Sequence, residues 1–182
     1  MNIVLTGYRC TGKSTVGRRL AERLRVSFYD TDELIKRQTG KTVAEIVEKG
    51  GWRAFRKEEK EIIRGLSAIE GSVIATGGGV VMDEENRNIL KEIGTVVWLT
   101  ADIRTTIERM RKDENSNEQR PSLSDNNLYK ETSDILEMRT PIYRQLADLT
   151  IDTSEKDIDE IMDDICRFLK IPRKEQRCRE VQ

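Results

Sequence analysis

The chain contains no histidine among its 182 residues. That absence removes imidazole acid–base catalysis, Ser-His and Cys-His nucleophilic systems and imidazole metal sites in one step. Any chemistry must draw on carboxylates, Lys, Arg, backbone amides or a bound ion. Cysteine is scarce as well. Cys10, Cys166 and Cys178 are odd in number and form no C-x-x-C pair, so neither a disulfide framework nor a zinc knuckle is supported, and a reducing compartment fits. Charge of one sign is missing too: 32 basic and 33 acidic residues leave a formal net charge of −1. This argues against bulk electrostatic attraction to nucleic acid. No run approaches the ~20 apolar residues of a membrane span. Met1-Asn2-Ile3-Val4-Leu5 enters a strand without a signal-peptide core. The expectation is a cytoplasmic chain with no membrane or nucleic-acid partner.

What is present fits one globular domain over residues 1–170, since a chain of this length buries roughly 70% of its unfolded surface. Charged residues make up 36% of the sequence, and helix faces are their natural place. Short apolar runs alternate with longer segments of helical period, the pattern of an α/β protein with a parallel sheet. Five strands are expected: Ile3–Thr6, Val26–Tyr29, Ser72–Ala75, Thr95–Leu99 and Leu149–Ile151. Val16, Leu20 and Leu24 stripe the first helix. Thr42-Val43-Ala44-Glu45 has capping-box spacing for a short helix closed by Gly50, and a longer one reaches about Ile69. Ile103, Ile107 and Met110 mark another helix. Ile158, Ile161, Met162, Ile165 and Leu169 mark the last, behind a Ser154-x-x-Asp157 cap. The polar stretch 112–127 is either a linker or a mobile lid, and 171–182 reads as a basic, frayed tail.

Gly7-Tyr8-Arg9-Cys10-Thr11-Gly12-Lys13-Ser14-Thr15 is a full G-x-x-x-x-G-K-S match between the first strand and the first helix. Backbone N–H groups and the helix N-terminus there face phosphates, Lys13 neutralises terminal phosphate charge, and the Ser14 hydroxyl suits Mg²⁺. A chance glycine-rich turn is the competing reading; the strand before and helix after argue against it. Asp30-Thr31-Asp32 ends the second strand at the edge where open parallel sheets bind ligands. One carboxylate there suits a cation and the other a hydroxyl proton, although Asp32 could simply cap the next helix. Gly77-Gly78-Gly79 follows the third strand and suits close approach of backbone to ligand. Arg56 and Glu59 share a helix face, either as a functional pair or as an ordinary surface bridge. Arg120-Pro121, and Arg139-x-Pro141-x-Tyr143 near an expected helix break, add two arginines in irregular backbone.

Together and in this order, these motifs resemble the shikimate kinase family over about Met1 to Leu169. The resemblance implies a three-layer α/β/α P-loop kinase with a five-stranded parallel sheet of order 2-3-1-4-5 and a mobile lid. It implies ATP-dependent phosphorylation of the shikimate 3-hydroxyl by a monomer. Lys13, Asp32 and Arg120 would be catalytic. Asp32, Arg56, Glu59, Gly77, Gly78, Gly79 and Arg139 would bind shikimate. Gly7, Thr11, Gly12, Lys13, Ser14, Thr15, Arg111, Arg120 and Lys156 would bind ATP, and Ser14 and Asp30 would hold Mg²⁺. Cys10 stands where the family usually has glycine, Ser122 replaces a usual leucine, and Lys156 and Ile158 replace a common arginine and proline. Two other readings remain at this point: a kinase of another polyol acid such as gluconate, and a nucleotide-binding regulator without catalysis.

Overall fold

The computed structural model describes residues 1–113 and 125–172. The expected lid tip with Arg120, and residues 173–182 of the expected tail, lie outside the described residues. The strands are β1 (Asn2–Thr6), β2 (Ser27–Asp30), β3 (Ser72–Ala75), β4 (Gly94–Thr100) and β5 (Leu149–Asp152). All pairings are parallel, in the order β2-β3-β1-β4-β5. β2 starts one residue later than expected, and the other strands fall where the apolar runs are. The helices are α1 (Lys13–Leu24), α2 (Thr31–Thr39), α3 (Val43–Gly65), α4 (Glu84–Ile93), α5 (Ile103–Lys112), α6 (Asp125–Leu146) and α7 (Ile158–Phe168). Among the described residues, no helix is long and apolar enough to cross a membrane.

Strand alternation sorts the core into two layers. Ile3, Leu5, Val97 and Leu99 face one side and pack with Val16 and Leu20 of α1 and Ile161 and Ile165 of α7. Val4, Val96 and Trp98 face the other and meet Ile63 of α3, Leu90 of α4 and Tyr143 and Leu146 of α6. A third, small cluster of Ile35, Ile46 and Phe55 joins α2 to α3. β1 lies at the centre, bonded to β3 on one side and β4 on the other. The loop after β1 therefore emerges where the chain's direction of winding reverses, the usual position of a ligand crevice.

Local chemistry explains most boundaries, and it corrects three expectations. The Thr42–Glu45 capping box forms as the spacing requires. The break that follows lies at Gly51, whose φ of 68° no helix accommodates, rather than at Gly50. The cap of α7 is Asp157, reciprocated by Glu160. Ser154 is instead engaged elsewhere: its hydroxyl donates to Asp152 and accepts the N–H of Asp102. Pro141 does not end a helix. It lies inside α6, where it and Glu137, whose carbonyl loses its helical donor, both face solvent. Helix α4 went unanticipated, because its polar sequence carries one fully buried apolar residue, Leu90.

Gly7 and Gly65 make opposite predictions. Gly7 has φ 146°, and a Cβ there would overlap the Leu99 carbonyl oxygen of β4. Gly65 has helical φ −64° and open space around it. Gly7→Ala should lower the melting temperature by about 5 °C or more, from ~2 kcal/mol or more of strain. Gly65→Ala should raise it by about 2 °C through the entropy of the unfolded chain. Calorimetric melting of both variants checks the pair.

Candidate active site

The loop between β1 and α1 is tied to itself. The Thr11 hydroxyl donates to the Tyr8 carbonyl at 2.9 Å and Lys13 Nζ donates to the same oxygen at 2.6 Å. Lys13 is buried, which pulls its pKa down against the opposing pull of Asp32 and Asp30. Cys10 adopts φ 59°, a left-handed conformation costing a side-chain-bearing residue roughly 1–2 kcal/mol. A glycine there would avoid that cost. Ser14 and Thr15 are exposed at the start of α1.

The two aspartates after β2 divide their work. Asp30 Oδ1 accepts the N–H of Asp32 and so caps α2. Its Oδ2 accepts the Ser14 hydroxyl at 2.6 Å. Asp32 is therefore not the cap. Its Oδ1 is buried and, among the described residues, without a hydrogen-bond partner. Burial, reinforced by the charge of Asp30, pushes Asp32 up to about 6. Between them Thr31, fully buried, accepts the Gly77 N–H at 2.8 Å and pins the triglycine loop to α2.

That loop works by lacking side chains. A Cβ on Gly77 would stand 2.9 Å from Asp32 Oδ1 and 3.0 Å from Glu59 Oε1. One on Gly79 would overlap the Arg56 guanidinium, and one on Gly78 would lie 3.1 Å from the Gly7 carbonyl. Glu59 is 1% exposed and holds Arg56 Nη1 in a short ion pair. Its other oxygen is buried with no partner among the described residues. Burial pushes Glu59 up to about 7 in spite of Arg56. From α6, Arg139 Nη1 and the Tyr143 hydroxyl both donate to the Gly78 carbonyl, at 3.0 and 2.5 Å. Tyr143 is fully buried and stacked on Trp98, with ring centroids 5.6 Å apart.

A single cleft is lined by Asp32, Arg56, Glu59, Gly77, Gly78, Gly79 and Arg139. Sequence reasoning named all of these, on four separate elements. It missed Tyr8, Arg9, Val43, Trp52 and Phe55 as lining residues, and it missed Thr31 and Tyr143 as supports. The i, i+4 spacing of Arg139 and Tyr143 was the signal that could have found the latter. On the β5 side, Arg111 is exposed. Arg109 is the residue that crosses to the loop after β1, donating to the Cys10 carbonyl at 3.4 Å and to the Thr153 carbonyl at 2.6 Å. Lys156 is exposed and paired with Asp164.

A phosphate-cradling loop beside a cleft of two buried carboxylates and several arginines defines a P-loop phosphotransferase acting on a small anionic acceptor. A family model described as shikimate kinase matches residues 9–170. The chain belongs to the shikimate kinase family. A shikimate kinase of Syntrophus aciditrophicus is 45% identical over 91% of this chain and 89% of its own. The structure of the Acinetobacter baumannii shikimate kinase in complex with shikimate superposes with a TM-score of 0.85 at 36% identity, covering 93% of this chain and 92% of that one. A gluconokinase from Sinorhizobium meliloti, at 18% identity, a TM-score of 0.57 and coverage of 93% and 91%, shares the fold alone.

The buried Glu59 yields a pH prediction. Burial pushes it up to about 7 in the folded chain from the ordinary 4.5, so between these values the native state holds a proton that the unfolded chain has lost. Its contribution to stability is full below about 4.5 and disappears as pH rises through about 7. The ligand-free protein should lose roughly 5 °C of melting temperature between pH 5.5 and 8. In Glu59→Gln the part of that slope above pH 6 should vanish, leaving the lower part due to Asp32. Calorimetry across pH checks it.

Proposed function

We propose that this protein transfers the γ-phosphoryl group of ATP to the 3-hydroxyl of shikimate, giving shikimate 3-phosphate and ADP. The observation that carries the reading is the convergence of Arg56 and Arg139, from separate helices, on the triglycine loop beside Asp32. Two guanidiniums fit a carboxylate, and the Asp32 carboxylate in the same cleft fits a hydroxyl. Such an arrangement distinguishes an acidic acceptor from a neutral polyol; a gluconate-type acid also carries a carboxylate, and between the two the family match favours shikimate. Retention of Lys13, Ser14 and Asp32 in working positions favours an enzyme over a regulator.

In the reaction the acceptor oxygen bonds to the γ-phosphorus as the bond to the β-phosphate oxygen breaks, and the hydroxyl proton passes to Asp32. Asp32 is suited to this role because one of its oxygens is buried and unengaged among the described residues. Lys13 leaves its carbonyl partner to neutralise the phosphates, and backbone amides of the loop from Gly7 to Gly12, continued by Ser14 and Thr15, surround them. Glu59 holds the Arg56 guanidinium at the carboxylate, and Tyr143 holds the Gly78 peptide. The adjoining Ser14 hydroxyl and Asp30 carboxylate form an oxygen-only donor set that fits Mg²⁺. When bound, the cation supplies charge neutralisation on the phosphate oxygens. Arg109 fits the adenine side better than Arg111 or Lys156, because it faces the loop. Residues 1–170 act as one domain in this reading, as a cytoplasmic monomer, with Arg120, outside the described residues, supplying further charge to the phosphates.

Two measurements test it. Arg56→Lys and Arg139→Lys should each weaken shikimate binding roughly tenfold or more by titration calorimetry, because an ammonium cannot reproduce the fork. ATP binding should stay nearly unchanged. Parental affinity for shikimate in both variants removes the carboxylate clamp. Separately, Asp32→Asn should cut kcat by about 10²-fold or more with little change in the KM for ATP. A loss confined to the KM for ATP would reassign Asp32 to the cation.

A further inference from the structure

Arg9 occupies an unconstrained position of the phosphate-binding motif, and the functional reading gives it no role. Its side chain nevertheless lines the same cleft as Asp32, Arg56, Glu59 and Arg139. The other two arginines of the cleft are held in place: Arg56 is paired with Glu59, and Arg139 donates through Nη1 to the Gly78 carbonyl, its own Nε being buried without a hydrogen-bond partner among the described residues. Arg9 Nε is buried and has no hydrogen-bond partner among the described residues. The guanidinium lies 5.8 Å from the centre of the Tyr8 ring, a contact that orients it without consuming its donors. A buried donor without an acceptor is costly, so such groups point to a ligand or to water.

Position decides which part of a ligand it meets. Arg56 abuts Gly79, and Arg139 holds Gly78, on the side of α3 and α6. Arg9 rises from the loop that precedes Lys13, and its backbone nitrogen packs 3.6 Å from where a Gly78 Cβ would stand. It thus stands at the seam between the phosphate loop and the acceptor cleft. Charge agrees with this placement. An unreacted acceptor carries one carboxylate, which Arg56 and Arg139 match. After transfer the same molecule carries an additional phosphate of about −1.5 to −2 charge, more than the single charge of Lys13 neutralises.

We propose that Arg9 is an anion-binding residue for the transferred phosphoryl group, so that this cleft holds the phosphorylated product more tightly than the acceptor. The inference rests on the shikimate kinase reading and extends it to a residue which that reading leaves idle. The test compares calorimetric affinities for shikimate 3-phosphate and for shikimate in the parent, Arg9→Met and Arg9→Lys, with melting curves to verify folding. Arg9→Met should weaken product binding tenfold or more while shikimate affinity changes less than threefold, and Arg9→Lys should fall between. Competitive product inhibition should weaken in the same order. If Arg9→Met, folded, keeps the parental ratio of the two affinities, the inference is wrong while the kinase reading stands. A parent that forms no ADP with shikimate and binds neither ligand overturns both.

Discussion

The site depends on the fit of two buried carboxylates against the bare Cα of Gly77. Asp32 and Glu59 approach that one glycine from α2 and α3, and a methyl group there would stand about 3 Å from an oxygen of each. Such an arrangement keeps the charges compact but leaves them poorly solvated, so burial raises both pKa values. The surrounding cations offset that penalty. Arg56 is held by Glu59, and Lys13 and Arg56 both draw Asp32 back toward ionisation. The triglycine loop, the acid pair and the basic residues are thus one electrostatic unit, and a side chain at any of the three glycines would separate its members. Gly79 shows this most directly, because the space of its missing Cβ is filled by the Arg56 guanidinium.

Sheet topology brings the parts of this unit together. β1, β2 and β3 are adjacent and parallel, so the phosphate loop, the Asp30–Asp32 turn and the triglycine loop all leave the same edge. Thr31 bonds the second of these to the third. α6 supplies the remaining arginine and is fastened to the core by Tyr143, whose ring stacks on Trp98 of β4 while its hydroxyl holds Gly78. The distance between Gly78 and Arg139 along the chain is large, but each is one contact away from the central sheet.

The edge residues of this fold were legible in the sequence because their types are demanded by chemistry. Glycine is required where backbones touch, Lys-Ser must follow the phosphate loop, and carboxylates must end β2. The choice between neighbouring candidates was not legible. Asp30 and Asp32 are equally good caps by type, and only the backbone shows that Asp30 bonds the N–H of Asp32. Ser154 and Asp157 have the same ambiguity, settled by a competing bond from Asp102 to Ser154. Arg109 and Arg111 differ by two positions on α5, a rotation of about 200°, and only the packing of α5 decides which faces the loop. Pro141 marked a break by rule, yet a helix whose orphaned carbonyl faces water tolerates it. Pattern identifies which elements exist, whereas competition among hydrogen bonds selects the residue within each.

The distribution of apolar packing also bears on how the cleft engages its ligand. The two large clusters hold the sheet, α1, α4, α6 and α7. The first part of α3 rests on the small cluster of Ile35, Ile46 and Phe55, α2 shares that cluster while its Leu34 also reaches the second large one, and α3 is interrupted at Gly51. Segments with few buried contacts open at lower free energy than the core. Arg56 follows Phe55 at the end of that small cluster, whereas Arg139 is tied through the Gly78 carbonyl to the Tyr143–Trp98 stack. On the proposed reading, a carboxylate gripped by both guanidiniums would tie the segment that rests on the small cluster to the part held by the large ones. Asp32 belongs to the first of these, and the triglycine loop, bonded to α2 through Thr31 and to α6 through Tyr143, already links the two. The proposed proton acceptor and the two arginines are therefore fastened to one loop, which fixes their spacing through backbone contacts.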